Sequence, residues 1–537
     1  MTFEARAASV LLLSLLAIPH SAAAQGSYGV VWNFHEDGAN GALPIAPPIQ
    51  ATDGKLYGTT SVGPSGPGGT VFSFDPATNV FSTLHVFPTP TANGGPHQLI
   101  QARDGKLYGV TDNGGANNYG TIFSIDPAVG GASFEVLYDF PAPGPGVTIG
   151  GEPLSGLIQD SNGLFYGTTA VGGSFQSGIF GGAGTVYSFD PATRIVTTIH
   201  SFGGGVDSLH PGSRLGGVEP WGRVLLVNGK LYGTTQVGGV AEGGVAFSLD
   251  PATGSFAVLH DFGTVPPAYA DGLNPLAGLT LGADGKLYGT TIQGGIVNGN
   301  AAGGTVFSID PASNAFAVVY TFDPASNGVD SELVRGIDGQ LYGVASDCLT
   351  AVCTGRGKGL VFSLDPANAF TFTPLHTFAG APADGNANCT CGGLMQASDG
   401  SFFGVTFTGG TFDEGVMFRL LPPRPTIRLT VNGQHPNPPI VHTNGPMTLR
   451  LDISVSAYTA PVSWYWALIA NNQVFWVTST GLKTTAAPLV VAPPTQVSAA
   501  ALLNVTVPTG TTITSLFLFV DTSNAVVAGD LIAATRP

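Results

Sequence analysis

Two glutamates of this 537-residue chain have the residue type and setting for acid–base chemistry. Glu152 and Glu219 each precede a proline at the start of an apolar run. Hydrolysis of a glycosidic bond uses one carboxyl group as acid and a second as base or nucleophile. Carboxylates at loop ends are usually solvated, which is the competing interpretation. The pair is therefore a candidate, and the sequence identifies no catalytic residue.

A second set of polar and aromatic residues has the chemistry to hold a ligand. These candidates are His35, Glu36, His97, Tyr119, His210 and Trp221. Trp221 stands where a later repeat has Leu276, so it is either a stacking surface for a sugar ring or a core side chain. The set forms no triad, and the chain has no G-x-S-x-G, H-E-x-x-H or P-loop motif.

Four cysteines fall in two loops that the repeat pattern predicts to be neighbours: Cys348, Cys353, Cys389 and Cys391. Export permits disulfides, so two bridges are expected. Cys348–Cys353 is sterically easy, and cross-pairing between the two loops remains an alternative. The count would also suit zinc, but the spacing does not, so no metal site is predicted.

Four aspartates recur in the loops that lead from one repeat to the next: Asp37, Asp207, Asp271 and Asp384. Asp side chains cap turns by accepting backbone N–H groups, and this interpretation is favoured. Ca²⁺ is the alternative, because its ligands are oxygens, although no EF-hand-like loop is present. No cofactor is otherwise predicted.

Seven repeats must position these residues. Their markers, an aromatic residue before a glycine, are Tyr57, Tyr108, Tyr166, Tyr232, Tyr288, Tyr342 and Phe403. Each copy has an apolar run, an Asp-Gly or Asn-Gly turn, a strand such as Lys-Leu-Tyr-Gly-Thr-Thr, a Gly-rich loop and a third strand. An Asp-Pro turn and a fourth strand complete it. Four antiparallel strands repeated seven times predict an all-β, seven-bladed β-propeller.

The last copy is incomplete, which predicts how the ring closes. It stops after its third strand, Val416–Leu420, and Pro422-Pro423 replaces the expected turn. Tyr28–Phe34 resembles an orphan fourth strand such as Phe256–Phe262. We therefore expect the N-terminal strand to complete the last blade of a propeller spanning residues 25–421.

One position in the fourth strand is filled by histidine or another ring. It holds Trp32, His85, Tyr138, His200, His260, Tyr320 and His376. Interchange of His, Tyr and Trp at equivalent positions predicts a packing and hydrogen-bonding role.

The phrases DGKLYGTT and GTVFSFDPAT resemble the repeats of the "choice-of-anchor tandem repeat GloVer-containing" family of exported bacterial proteins. The resemblance covers roughly residues 28–421. It implies export and a variable C-terminal surface anchor. It implies no reaction and carries over no catalytic residue.

The remainder of the chain has a different pattern. Residues 422–425 predict a stiff proline-rich linker, and 426–537 predict a β-sandwich of immunoglobulin-like or carbohydrate-binding-like type. Its strands contain the rings Trp464, Tyr465, Trp466, Phe475 and Trp476. They pack a core, or some of them form an exposed platform for sugar.

The composition and the net charge of the chain limit the classes of function that it can have. Residues 1–24 have the basic, apolar and small-residue regions of a signal peptide, so a secreted, periplasmic or cell-surface location is expected, without a membrane span after cleavage. Gly (78) and Pro (40) disfavour helices. The net charge of −16 repels nucleic acid and anionic membranes.

Three functional hypotheses follow. Short turns connect strands 1–2 and 3–4 on one face of the ring, and variable loops connect strands 2–3 and 4–1 on the other, where function is expected. The favoured hypothesis is a non-enzymatic scaffold that binds a glycan or an extracellular protein there. The alternative is an extracellular glycoside hydrolase or lyase at the channel mouth, and a purely structural surface protein is a third interpretation.

Overall fold

The computed structural model describes most of the chain between residues 27 and 421. The described ranges are 27–36, 40–64, 66–87, 95–144, 147–174, 183–203, 214–266, 269–297, 299–322, 328–345, 359–386 and 393–421. Beyond them it describes the backbone of nine strands. Contacts between Cα atoms group Tyr28–Leu421 as one compact unit and place the later strands in another.

The first unit is built from strands. In chain order they are β1 (Tyr28–Asn33), β2 (Ile49–Gln50), β3 (Leu56–Gly63), β4 (Gly66–Asp75), β5 (Val80–Val86), β6 (Ile100–Gln101), β7 (Leu107–Thr111), β8 (Thr121–Ile125), β9 (Glu135–Asp139), β10 (Ile158–Gln159), β11 (Phe165–Thr169), β12 (Thr185–Asp190), β13 (Ile195–Ser201), β14 (Arg214–Val218), β15 (Leu225–Val227), β16 (Lys230–Thr235), β17 (Val237–Gly239), β18 (Val245–Leu249), β19 (Phe256–Asp261), β20 (Thr280–Leu281), β21 (Leu287–Thr291), β22 (Ile296–Val297), β23 (Asn300–Ala301), β24 (Thr305–Ile309), β25 (Phe316–Thr321), β26 (Val334–Arg335), β27 (Leu341–Ala345), β28 (Leu360–Asp365), β29 (Thr371–Thr377), β30 (Gly385–Asn386), β31 (Leu394–Gln396), β32 (Phe402–Thr406), β33 (Thr408–Gly409) and β34 (Val416–Leu420). Two short 3₁₀ helices cover Gly130–Ser133 and Pro366–Asn368.

Seven four-stranded antiparallel sheets confirm the propeller. We number them as blades 1 to 7: β2-β3-β4-β5, β6-β7-β8-β9, β10-β11-β12-β13, β15-β16-β18-β19, β20-β21-β24-β25, β26-β27-β28-β29 and β31-β32-β34-β1. Three two-stranded pairs extend loops of the same unit: β14-β17, β22-β23 and β30-β33.

The N-terminal strand closes the ring, as predicted. β1 pairs antiparallel with β34, with Tyr28 opposite Leu420 and Asn33 opposite Val416. Blade 7 is therefore assembled from both ends of the propeller sequence. A hydrogen bond also joins blade 7 to blade 1, because the Ser398 N–H donates to Gln50 Oε1 over 2.7 Å.

The marker motif is a hydrogen-bonded unit. In blade 1, Asp53 Oδ1 accepts the Lys55 N–H over 3.0 Å, and Asp53 Oδ2 accepts the Tyr57 hydroxyl over 2.7 Å. Burial, together with Asp53, raises the pKa of Tyr57. In blade 7, where Phe403 lacks a hydroxyl, Arg419 supplies the donor to Asp399.

The glycine after each marker leaves room for a ring of the third strand. A Cβ on Gly289 would lie closer than 3.0 Å to the ring of Phe307. The same clash with a third-strand ring arises at Gly58, Gly109, Gly167, Gly233, Gly343 and Gly404. The glycine of the second strand and the aromatic residue of the third strand therefore pack against each other inside each blade, and we call this contact ring-over-glycine packing.

Flat ring stacks join neighbouring blades. Six of the seven interfaces between blades stack the fourth-strand ring on an aromatic residue at, or immediately before, the start of the next fourth strand, at interplanar angles of 2–10°. The pairs are Trp32–Phe81, His85–Phe134, His200–Phe256, His260–Phe316, Tyr320–Phe372 and His376–Tyr28. At the remaining interface Tyr138 packs against a core cluster that contains Val196. The predicted packing role of this position is confirmed.

The C-terminal unit consists of β35 (Thr426–Val431), β36 (Ile440–Val441), β37 (Met447–Ser454), β38 (Ser463–Ala470), β39 (Gln473–Thr478), β40 (Gly481–Lys483), β41 (Ala500–Val505), β42 (Thr511–Val520) and β43 (Val526–Arg536). They form a three-stranded sheet, β35-β37-β41, and a six-stranded sheet, β36-β43-β42-β38-β39-β40. The β-sandwich and the role of its aromatic run stay predictions. None of the described residues belongs to a helix with the length and apolar character needed to cross a membrane.

Substitution of Gly289 by alanine tests the ring-over-glycine packing. We expect a loss of about 1–3 kcal/mol in the free energy of unfolding, because the added methyl overpacks against Phe307. Gly29→Ala is the matched control, since a Cβ added to Gly29 would meet nothing within 4 Å. Denaturant unfolding measures both variants, and equal stabilities would contradict the packing argument.

Two of the stacked histidines make the fold sensitive to acid. Burial lowers the pKa of His85 and of His200 to about 4, against about 6.5 when unfolded. The folded state therefore keeps them neutral, and its stability falls as the pH drops from about 6.5 towards 4, by up to about 3 kcal/mol for each ring.

We expect His85→Phe to preserve the stack and reduce this acid-induced loss. The readout is the free energy of unfolding at pH 8 and at pH 4.5. Tyr320→Phe is the control at the equivalent position of blade 5, and it should leave the pH dependence unchanged. A His85→Phe variant with the pH dependence of the natural chain would refute the assignment.

Candidate ligand-binding channel

A cavity of about 370 Å³ lies along the innermost segments of all seven blades. Its wall comprises Ile45, Ala46, Pro47, His97, Gln98, Leu154, Ser155, Gly156, Trp221, Gly222, Arg223, Leu276, Ala277, Gly278, Asp330, Ser331, Glu332, Val334, Gly393 and Leu394. Because each blade contributes the chain leading into its first strand, the cavity is the central channel of the propeller. Its wall is mainly apolar, with a few polar and charged groups.

A left-handed residue followed by proline begins the inner segment of several blades. Glu152 has φ 55°, and Leu43, Glu219 and Asn274 have φ between 54° and 58°. The Glu152 N–H donates to the carbonyl of Tyr119 in the preceding blade over 2.8 Å, and its carbonyl accepts the Ala170 N–H over 3.0 Å. The backbone at this position therefore ties neighbouring blades together, whatever its side chain does.

An ion pair crosses from blade 4 to blade 6 inside the channel. Arg223 Nη2 lies 2.9 Å from Glu332 Oε1, and their side chains are 30% and 25% exposed. The Glu332 carboxylate raises the pKa of the Arg223 guanidinium above its usual range. Gly278 of blade 5 leaves the space between them, because a Cβ there would lie 2.7 Å from the Arg223 carbonyl oxygen and 3.2 Å from Glu332 Oε2.

Sequence reasoning missed both members of this ion pair. A glycine precedes the inner apolar run in three other blades, as Gly156, Gly278 and Gly393. Arg223 and Glu332 replace that glycine in blades 4 and 6. This departure from the repeat is visible in the sequence, and it is of the same kind as the one that marked Trp221.

Three ionisable residues gather between blades 2 and 3. His97 Nε2 is 3.7 Å from Asp112 Oδ2, and the two side chains are 16% and 22% exposed. His97 Nε2 and Asp112 Oδ1 are buried atoms that make no hydrogen bond. Burial, and then the charge of Asp112, raise the pKa of Glu152. The carboxylate that acts on Glu152 is therefore Asp112, which sequence reasoning did not identify.

The other predicted site residues are distributed around the ring. His97 and Trp221 line the cavity, and Trp221 is 40% exposed. The His35 ring meets Phe412 edge-on at 3.9 Å, and the Glu36 N–H donates to Glu414 Oε2 over 2.7 Å. Tyr119 packs against a core cluster of blades 2 and 3. Pairing of Glu152 with Glu219 stays a prediction.

Several predicted residues lie outside the described ranges. They are His210, Asp37, Asp207 and the cysteines Cys348, Cys353, Cys389 and Cys391. The expected disulfides therefore stay predictions.

Two of the recurrent aspartates cap turns, and they also bind histidine. Asp271 Oδ1 accepts the Gly263 N–H over 3.2 Å, while Asp271 Oδ2 lies 3.0 Å from His260 Nε2. Burial by itself would raise the pKa of Asp271, but its hydrogen bonds and the charge of His260 together outweigh burial and hold the pKa below its usual value. Asp384 likewise accepts the Ala379 N–H and lies 2.8 Å from His376 Nε2. Within the described ranges no three His, Cys, Asp or Glu residues are grouped so as to hold a metal ion.

The sequence model of one protein family, described as the Gloeobacter/Verrucomicrobia repeat, matches residues 21–217 and 181–351 of the chain. These two overlapping matches cover well over half of the sequence, and they agree with the resemblance to the GloVer repeats. No curated protein matches the sequence.

The solved structures that this chain matches include two enzymes. A fungal alcohol oxidase of the AA5 family, in complex with copper, is 13% identical with a TM-score of 0.48, over 95% of this chain and 100% of that one. An oligogalacturonate lyase from Vibrio parahaemolyticus is 9% identical with a TM-score of 0.45, over 74% of this chain and 97% of that one.

Proposed function

Because this chain belongs to the Gloeobacter/Verrucomicrobia repeat family, and its repeats form the blades of a closed ring, we propose that it is an exported binding protein that holds a glycan at the mouth of the central channel. The observation that carries the proposal is the channel wall itself. It combines an exposed indole, Trp221, with the polar groups of His97, Arg223 and Glu332.

This combination suits a sugar better than a purely apolar ligand. The faces of sugar rings carry C–H groups that pack on aromatic side chains, while their hydroxyls need hydrogen-bond partners. The site lies at the entry to the first strands, on the same face as the variable loops, which are the segments that most often carry function. A peptide of an extracellular protein is the other occupant considered.

The charge of the chain favours a neutral ligand. The segment from Thr426 onward carries three acidic and four basic residues, so the excess of negative charge lies in the earlier part. An acidic field of this kind disfavours polyanionic glycans and nucleic acids. A neutral oligosaccharide meets no such repulsion.

Replacement of Trp221 by alanine tests this proposal. We expect binding of neutral oligosaccharides on a glycan array to weaken at least tenfold, because loss of a stacked indole removes more than about 1.4 kcal/mol. Ile337→Ala is the control, since Ile337 is exposed in a strand 1–2 turn on the opposite face. If the natural chain binds no glycan but captures a peptide, the ligand of the channel is a protein and the glycan proposal is wrong.

A second candidate function is hydrolysis of a glycosidic bond at the same mouth. The cluster of His97, Asp112 and Glu152 favours it, because a carboxyl group with a raised pKa beside a second carboxylate is the arrangement of a general acid and its partner. The equivalents of Asp112 in blades 1, 3, 4 and 5 are Ser61, Ala170, Gln236 and Ile292, so no repeated structural role explains it.

Product release decides between the two functions. If the protein is an enzyme, neutral glycans incubated with it yield shorter products, and Glu152→Gln reduces the rate at least a hundredfold because it removes the transferable proton. Glu219→Gln, at the equivalent backbone position of blade 4, is the matched comparison. If the natural chain binds glycans but releases no shorter products, the enzymatic function is wrong.

A further inference from the structure

The geometry of the channel points to end-on recognition. We propose that the cavity takes the terminal residue of a neutral glycan chain, with Arg223 and Glu332 as the pair that recognises its hydroxyls. This inference rests on the proposed function and deepens it, because it names which part of the glycan is bound and by which groups.

The continuity of the wall excludes a chain that lies across the site at this depth. All seven blades contribute residues to the cavity, and ring stacks or core packing join every pair of neighbouring blades. A polymer can therefore reach the cavity only along the axis of the ring. The volume of about 370 Å³ is near the lower end of the roughly 300–1,000 Å³ of small-molecule pockets. It suits the end of a chain rather than a long segment.

The ion pair supplies complementary hydrogen-bonding groups. A guanidinium offers five N–H donors, and a carboxylate offers only acceptors. One guanidinium nitrogen of Arg223 is bonded to Glu332 Oε1, which leaves further N–H groups and Glu332 Oε2 for a ligand. A sugar hydroxyl both donates and accepts, so neighbouring hydroxyls bridge such a pair without breaking it.

The charges of the wall select against an acidic sugar. The lining contains one guanidinium, Arg223, and two carboxylates of blade 6, Asp330 and Glu332. A carboxylate on the ligand would compete with Glu332 for Arg223 and would be repelled by the Glu332 carboxylate itself. A neutral terminal residue keeps the ion pair intact.

The positions of the pair in the repeat support a binding role. Gly156, Gly278 and Gly393 show that blades 3, 5 and 7 form with glycine at the equivalent place. A charged side chain is therefore not needed to build a blade. Arg223 and Glu332 are partly exposed to the cavity, and the glycine between them provides the space in which they meet.

Capped oligosaccharides test end-on binding. The strongest neutral ligand from the array is titrated in solution in three forms: unmodified, with a bulky benzylidene acetal on its non-reducing terminal residue, and with a bulky glycoside at its reducing end. We expect one cap to weaken binding at least tenfold and the other to have little effect. If neither single cap weakens binding, the chain lies across the face, and the end-on inference falls while the proposed function stands.

Variants of the pair test the recognition step. Glu332→Gln keeps the shape and the hydrogen bond to Arg223 but loses the charge, and we expect at least a tenfold weaker affinity for the uncapped ligand. Glu135→Gln is the matched control, because Glu135 pairs with Arg194 over 2.6 Å at an exposed place on the outer strands. If Glu332→Gln does not fold, as judged by its melting curve, Arg223→Lys provides the same test by removing the planar fork while keeping the charge.

The possible results separate the two proposals. Equal affinities of Glu332→Gln, Arg223→Lys and the natural chain would overturn the role of the ion pair. A ligand whose terminal residue is a uronic acid, bound more tightly than its neutral counterpart, would overturn the preference for neutral ends. Absence of binding to every neutral glycan would remove the proposed function and this inference together.

Discussion

The propeller depends on the flat contact between a ring on the fourth strand of one blade and a ring on the fourth strand of the next. Backbone hydrogen bonds such as that from the Glu152 N–H to the Tyr119 carbonyl also tie neighbouring blades together, and the stacked side chains add to them. Stacked rings bury a large apolar area and add a preferred orientation. His85 on Phe134 is one instance, with ring centroids 3.6 Å apart. Where the next blade offers Val196 instead of a ring, packing against a core cluster takes its place.

The same contact explains why the architecture could be predicted and its details could not. Repeats can be recognised directly in a sequence. The aromatic markers and the Asp-Pro turns are therefore enough to count the blades and to assign the N-terminal strand to blade 7. The spacing of residues within one repeat does not reveal the ring stacks between blades, because the two rings of each stack lie in separate repeats. Likewise, nothing adjacent to Gly289 in the sequence reveals that a ring from the third strand covers it.

The candidate site was predicted only in part, for a related reason. Trp221 was identified because a later copy has Leu276 in its place, and His97 was identified as a polar loop residue; both line the channel. Arg223 was not singled out, since its partner is two blades away and 109 positions along the chain. Asp112 was missed because its influence on Glu152 depends on the way neighbouring blades meet. Residues that depart from the repeat pattern can be identified in the sequence as candidate site residues. Which of them lie close together depends on how the blades are arranged in the closed ring.

Closure of blade 7 by β1 has a consequence for the order of folding. β1 is synthesised before the other strands of the propeller, and it must wait for β34, which is made almost at the end of the propeller sequence, before it gains its partner. Contacts between such distant segments form late and slow the search for the native state. Until then, one edge of β34 and the ring of Tyr28 lack their native contacts. A chain delivered unfolded to another compartment would complete its ring there, after both ends have arrived.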